Sequence, residues 1–198
     1  MESIQNKRER LVEAALEVFC EAGFEAASME RIAARAGVAK GTVYLYYESK
    51  DHLFEEIYQL CAAERSAACA AHTKQVTSVL DRLCMRLHNG MRWELATPAK
   101  NRLVRIYLAH PRFGGKANMI GQCTESVQGL MDEGIAAGEL RPLPAPLLEQ
   151  MYIHFGSAMY YYVTAHPEAA EDEALWQGIA ASLRGCLGAD FRQTPDQK

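Results

Sequence analysis

The chain has 198 residues, a mass of 22.0 kDa and a net charge of −4 from 21 basic and 25 acidic residues. Hydrophobic residues make up 49% and charged residues 23%, which excludes disordered and collagen-like chains and leaves one large domain, or a small one of roughly 50 residues joined to a larger. The acidic balance, taken alone, argues against nucleic-acid binding.

Helical periodicity runs through almost the whole chain. From Ile4 to Ala22 the apolar residues Leu11, Ala15, Leu16, Val18 and Phe19 recur at helical spacing, with Glu9, Glu13, Glu17 and Glu21 on another face, and Gly23 stops the helix. Ser28 caps a second helix of about two turns that ends at Gly37. A third short helix covers Lys40 to Tyr47, and Ser49-Lys50-Asp51 opens a long one through Phe54, Ile57, Leu60 and Cys61 toward Ala71. Val76, Leu80, Leu83, Leu87 and Met91 mark a helix that ends before Pro98. Leu103, Ile106 and Tyr107 mark a shorter one that ends at Pro111-Arg112-Phe113-Gly114-Gly115. A further helix runs from about Lys116 to Gly138, and Pro142, Pro144 and Pro146 force an extended link. Two more, roughly Leu147 to Ala165 and Glu171 to Leu187, are divided by Pro167. No strand alternation appears, so the expected fold is all-α.

Other classes find little support. The cysteines (20, 61, 69, 84, 123, 186) contain no CxxC pair. The polar opening Met1 to Arg10 does not match a secretory leader, so reduced thiols and a cytoplasmic location are expected. The uncharged run Gln150 to Pro167 carries Gln150, His154, Ser157, Thr164 and His166, and reads as a buried helix rather than a membrane span. No HExxH spacing, phosphate loop or Gly-x-Ser-x-Gly elbow is present, so no enzyme, cofactor or metal site is expected.

Two short helices about a tight turn at Gly37-Val38 form a helix-turn-helix, whose second helix can enter the DNA major groove. Lys40-Gly41-Thr42-Val43-Tyr44-Leu45-Tyr46-Tyr47 supplies a cation, a residue with no side chain, a hydroxyl and three phenols. At 100° per residue Lys40, Tyr44 and Tyr47 share one face, with Val43 and either Tyr46 or Tyr47 nearer the core. Gly41 admits close approach, the Thr42 and Tyr44 hydroxyls suit phosphates or bases, Lys40 is the best candidate to read a base, and Lys50 sits where a helix start binds phosphate. Spacing alone leaves open both DNA binding and a helix-turn-helix that is only structural.

The stretch from Ser28 through Arg31, Gly37, Lys40-Gly41-Thr42-Val43-Tyr44-Leu45-Tyr46-Tyr47 and Lys50 to Leu53, preceded by Ala14-Ala15, Phe19, Gly23 and Phe24, closely resembles the N-terminal motif of the TetR family of transcriptional regulators. Tyr47 departs from the phenylalanine often found there. The resemblance implies a helix-turn-helix DNA-binding domain over 1–52 and a helical ligand-binding and dimerisation domain over 53–198. It implies a homodimer, usually a repressor, that binds palindromic operator DNA and releases it on binding a small-molecule effector. Carried over by position, the DNA contacts fall on Ser28, Arg31, Lys40, Gly41, Thr42, Tyr44, Tyr46 and Lys50. The last two long helices would pair across the dimer axis, and Leu53 to Ala71 would join the domains. Trp93, Arg105, Tyr107, Met119, Cys123, Tyr152, His154, Phe155 and Met159 are candidates to line a pocket for an apolar or aromatic effector. The rival readings are a redox sensor acting through Cys123 or Cys61, and a helical ligand-binding protein whose motif is structural.

Overall fold

A computed structural model of the chain describes residues 4–113 and 119–189, with side chains for 6–113 and 127–189. Among these residues there are nine α-helices: α1 (Ile4–Ala26), α2 (Met29–Ala36), α3 (Lys40–Tyr46), α4 (Lys50–Ala70), α5 (Val79–Ala96), α6 (Pro98–Ala109), α7 (Met119–Ala136), α8 (Ala145–Ala165) and α9 (Glu173–Leu187). No β-strand occurs among the described residues, and a single antiparallel bridge pairs Leu140 with Gly188. None of their helices is long and apolar enough to cross a membrane.

Local chemistry explains where the elements begin and end. Gly23 interrupts α1 at φ 75°, ψ 172°, and the chain then completes one more turn to Ala26. That turn lies beyond the stop the sequence suggests. The α5 stripe starts at Val79 rather than Val76, because a 3₁₀ turn occupies Thr73–Gln75 and Ser78 caps the helix through Asp81 N–H. α9 starts two residues later than expected, where Asp172 accepts from the Ala174 and Leu175 N–H groups at 2.9 and 3.1 Å.

The chain divides into two compact units, Met1–Arg65 with Ala96–Gln122 and Ser66–Leu95 with Cys123–Lys198. This packing boundary does not follow the division at residue 52. In the first unit α1 packs on α2 and α6, and α6 closes the core with Leu103, Val104 and Tyr107. Aromatic rings fill that core: Phe24 lies 4.9 Å from Phe54 and 5.0 Å from Phe113, and Phe54 lies 5.2 Å from Tyr107. Such pairs add to the free energy of burying their area. The second unit buries Leu83 and Leu87 of α5, Val127 and Met131 of α7, Leu148 and Tyr152 of α8, and Leu183 and Leu187 of α9. Its α7 to α8 link is extended at Leu140, where Arg141 N–H reaches the Leu187 carbonyl at 2.9 Å.

Gly37 closes α2 in the left-handed region at φ 64°, where its N–H reaches the Ala33 and Ala34 carbonyls. A Cβ is disfavoured in that conformation. Gly37→Ala is therefore expected to lower unfolding free energy by about 1 kcal/mol, measured by urea denaturation.

Candidate nucleic-acid interface

The α2–α3 pair is built from its caps inward. Ser28 Oγ accepts from Arg31 N–H at 3.2 Å and starts α2, and the Val38 N–H bonds the Ala33 carbonyl at 3.0 Å, which tightens the turn behind Gly37. Ala39 then opens α3 with no side-chain cap, so packing must hold this helix. Val43 is fully buried and Tyr46 rests half-buried against the same core. Lys40, Gly41, Tyr44 and Leu45 are exposed, and Thr42 is intermediate.

One expectation is corrected. Tyr47 does not share an outward face with Lys40 and Tyr44, because α3 ends at Tyr46 and Tyr47 turns off in extended backbone at φ −136° with 1% of its surface exposed. Once the backbone leaves the helix, the wheel position of Tyr47 beside Lys40 no longer applies, and an aromatic ring gains most on the buried side. Its hydroxyl lies 3.4 Å from Glu56 Oε1, and Arg8 pairs with the same carboxylate. Burial raises the Tyr47 phenol above its ordinary pKa. Of the three phenols in α3 and its cap, Tyr44 is the exposed one, at 46%.

The cations of this motif all have partners. Arg31 pairs with Glu21 at 3.0 Å, and Arg35 bridges Glu17 at 2.7 Å and Glu21 at 2.9 Å. Arg35 above all, with Arg31, holds the Glu21 carboxyl below its usual range. Lys40 pairs with Glu30 and lies 5.9 Å from the centre of the Tyr44 ring, and its ammonium likewise lowers the Glu30 carboxyl. Lys50 donates to the Phe24, Glu25 and Ala27 carbonyls at 2.8, 3.2 and 3.0 Å and sits 4.4 Å from the Phe24 ring centre. Its three N–H bonds are thus occupied at the end of α1, and a phosphate contact would have to displace one of them.

The candidate effector residues are drawn from both compact units. Arg105 and Tyr107 belong to the first unit, and Trp93, Tyr152, His154, Phe155 and Met159 to the second. Tyr107 is a core residue, stacked on Tyr58 with ring centres 3.8 Å apart and its phenol pushed up to about 12 by burial and by Glu55. In the second unit Trp93 and Met159 are buried, Phe155 is half-buried, His154 is exposed, and the Tyr152 hydroxyl donates to the Leu83 carbonyl at 3.2 Å. The side chains of Met119 and Cys123 lie outside the described residues. Cys61 is a free thiol that burial pushes up to about 11.

Two features escaped the sequence reading. Glu149 is buried in α8, and desolvation raises its carboxyl. Nothing in its spacing marks it, since burial of a lone acid depends on neighbours distant in sequence. Leu45, 82% exposed, is the other, and here a signal existed: its wheel position lies 160° from Val43, on the side away from the core.

A capped helix, a tight left-handed turn and a short second helix with an exposed cation and phenol define a helix-turn-helix protein. Residues 11–57, about a quarter of the chain, match the family described as bacterial regulatory proteins, tetR family. The chain is similar to the uncharacterised regulator YfiR of Bacillus subtilis, with 25% identity covering 94% of this chain and 95% of YfiR. Other curated relatives are matched over less, two Bacillus subtilis regulators over only 28% and 35% of their length. A tetR family regulator from Shewanella sp. PV-4 has the same fold, with 23% identity, a TM-score of 0.82 and coverage of 92% and 98% of the two chains. The regulator FadR of Bacillus subtilis, solved with stearoyl-CoA, superposes with a TM-score of 0.76 at 20% identity over 89% and 97%.

Two outcomes follow from this geometry. Lys50→Ala is expected to destabilise the DNA-free protein by about 1–2 kcal/mol through loss of its hydrogen bonds to carbonyls, measured by urea denaturation. An unchanged midpoint would return Lys50 to a purely surface role. A thiol near 11 holds about a hundredfold less thiolate at pH 7 than one near 9, so iodoacetamide should label Cys61 at least about a hundredfold more slowly in the folded than in the unfolded chain. The folded-state rate should climb about tenfold per pH unit toward pH 11.

Proposed function

We propose that this protein is a ligand-responsive DNA-binding regulator of transcription, acting as a homodimeric repressor that leaves a palindromic operator when a small apolar or aromatic effector binds. The observation that carries this reading is α3. The fold buries Val43 of this helix and Tyr47 just beyond its end, and leaves Lys40, Gly41, Tyr44 and Leu45 exposed. In this reading residues 1–52 contain the DNA-binding segment and 53–198 the effector and dimer functions.

Lys40, Gly41, Thr42 and Tyr44 make the groove contacts, Ser28 and Arg31 meet phosphates from α2, and Tyr46 and Lys50 act from behind by fixing α3 and the end of α1. A dimer through α8 and α9 would set two copies of α3 about 34–36 Å apart, one turn of DNA. The exposed Leu147, Tyr161 and Tyr162 of α8 suit such an interface. The effector class is supported by the apolar Trp93, Tyr152, Phe155 and Met159 of the second unit and by the acyl-CoA seen in FadR. To release DNA the effector must bind the non-binding conformation more tightly, and a tenfold loss of DNA affinity requires about 1.4 kcal/mol of coupling.

Gly41 gives a sharp test. A Cβ built there meets nothing within 4 Å, so packing does not require glycine, although glycine weakens a helix relative to alanine. Gly41→Ala should raise folding stability by about 0.5 kcal/mol and lower affinity for duplexes selected by the full-length protein from a random library. Lys40→Ala should bind the same duplexes about tenfold more weakly, as loss of a base contact predicts. Failure of the protein to select any sequence would overturn the reading.

A further inference from the structure

Leu45 has no structural task. It is 82% exposed, the highest value among the exposed large hydrophobic residues described. A single exposed leucine on an ordinary surface needs no explanation. This one stands on α3, where Val43 marks the buried side and the opposite side is centred between Gly41 and Leu45.

Gly41 and Leu45 are four residues apart, one turn along the same side of the helix. Helical side chains lean back toward the turn that precedes them, so Leu45 stands on the side of the helix that Gly41 leaves bare. The open space around Gly41 keeps that side clear. Lys40 and Tyr44 border this apolar step on one flank and Thr42 on the other, groups suited to phosphates and polar base edges. An apolar step framed by polar groups fits a major-groove edge that carries one apolar feature. In DNA that feature is the 5-methyl group of thymine. Leucine offers no hydrogen bond to the polar atoms of guanine or cytosine at that place, and would leave them unsatisfied.

We propose that Leu45 is a specificity-determining residue that reads a thymine 5-methyl group in each half of the DNA site, with Gly41 providing the clearance. This rests on the DNA-binding reading above, and the test separates the two. Duplexes are selected by the full-length protein from a random library, and each thymine is then replaced singly by deoxyuridine, which removes the methyl and keeps every hydrogen-bonding group. The wild-type protein should lose about fourfold in affinity at one thymine per half-site, the contribution of one buried methyl group. Leu45→Ala, which removes only exposed atoms, should keep its fold by circular dichroism and bind the thymine and deoxyuridine duplexes equally. Selected duplexes insensitive to deoxyuridine overturn the Leu45 assignment and leave DNA binding standing, as does sensitivity that persists in Leu45→Ala. So does a Leu45→Ala variant that changes self-association and leaves the thymine preference intact. Absence of any selected sequence overturns both.

Discussion

Seven residues are too few for a helix to hold its shape in water, since nucleation costs more than so few hydrogen bonds return. α3 therefore exists only as long as its inner side is buried. Val43 and Tyr47 supply that burial, and the Gly37 turn and the bond from the Val38 N–H to the Ala33 carbonyl deliver the chain to it at a fixed angle. Behind Val43 and Tyr47 stand the aromatic rings of α1, α4 and α6. The direction in which Lys40 and Tyr44 point is a property of that core as much as of the short helix itself.

The charge balance looks different once the partners are known. The segment from Ser28 to Lys50 holds four basic residues, and each is engaged within the protein: Arg31 and Arg35 by acids of α1, Lys40 by Glu30, and Lys50 by backbone carbonyls. The acids of α1 that make the chain negative are in part the counterions that orient α2. Exposed pairs of this kind stabilise little, so they hold direction more than they hold the fold together. A surface so neutralised attracts polyanions weakly at long range, and any discrimination must come from contacts at close quarters.

Much of this was legible in the sequence where local chemistry decides the outcome. Ser28, Gly37 and the α2 boundaries follow from capping and left-handed turn preferences that involve neighbouring residues only. Tyr47 was harder, because one residue at a helix end belongs to either face until the core chooses. Tyr107 looked like a pocket residue from composition, and only the packing of α6 against α4 shows it stacked on Tyr58. The division of the candidate effector residues between two units was likewise hidden, since α6 returns to the first unit after α5 has joined the second. Spacing along a helix says which residues share a side, and nothing about which distant segment meets them.

The open space at Gly41 has a consequence for how such a protein diversifies. A Cβ at Gly41 meets nothing within 4 Å and Leu45 is 82% exposed, so these two positions can be exchanged with little effect on stability. Under the proposed DNA-binding reading, inheritance can treat the scaffold and the recognised sequence as separate characters, and gene duplicates can part in target while remaining the same in architecture. For an engineer the same independence makes positions 41 and 45 a compact alphabet in which a new preference could be written.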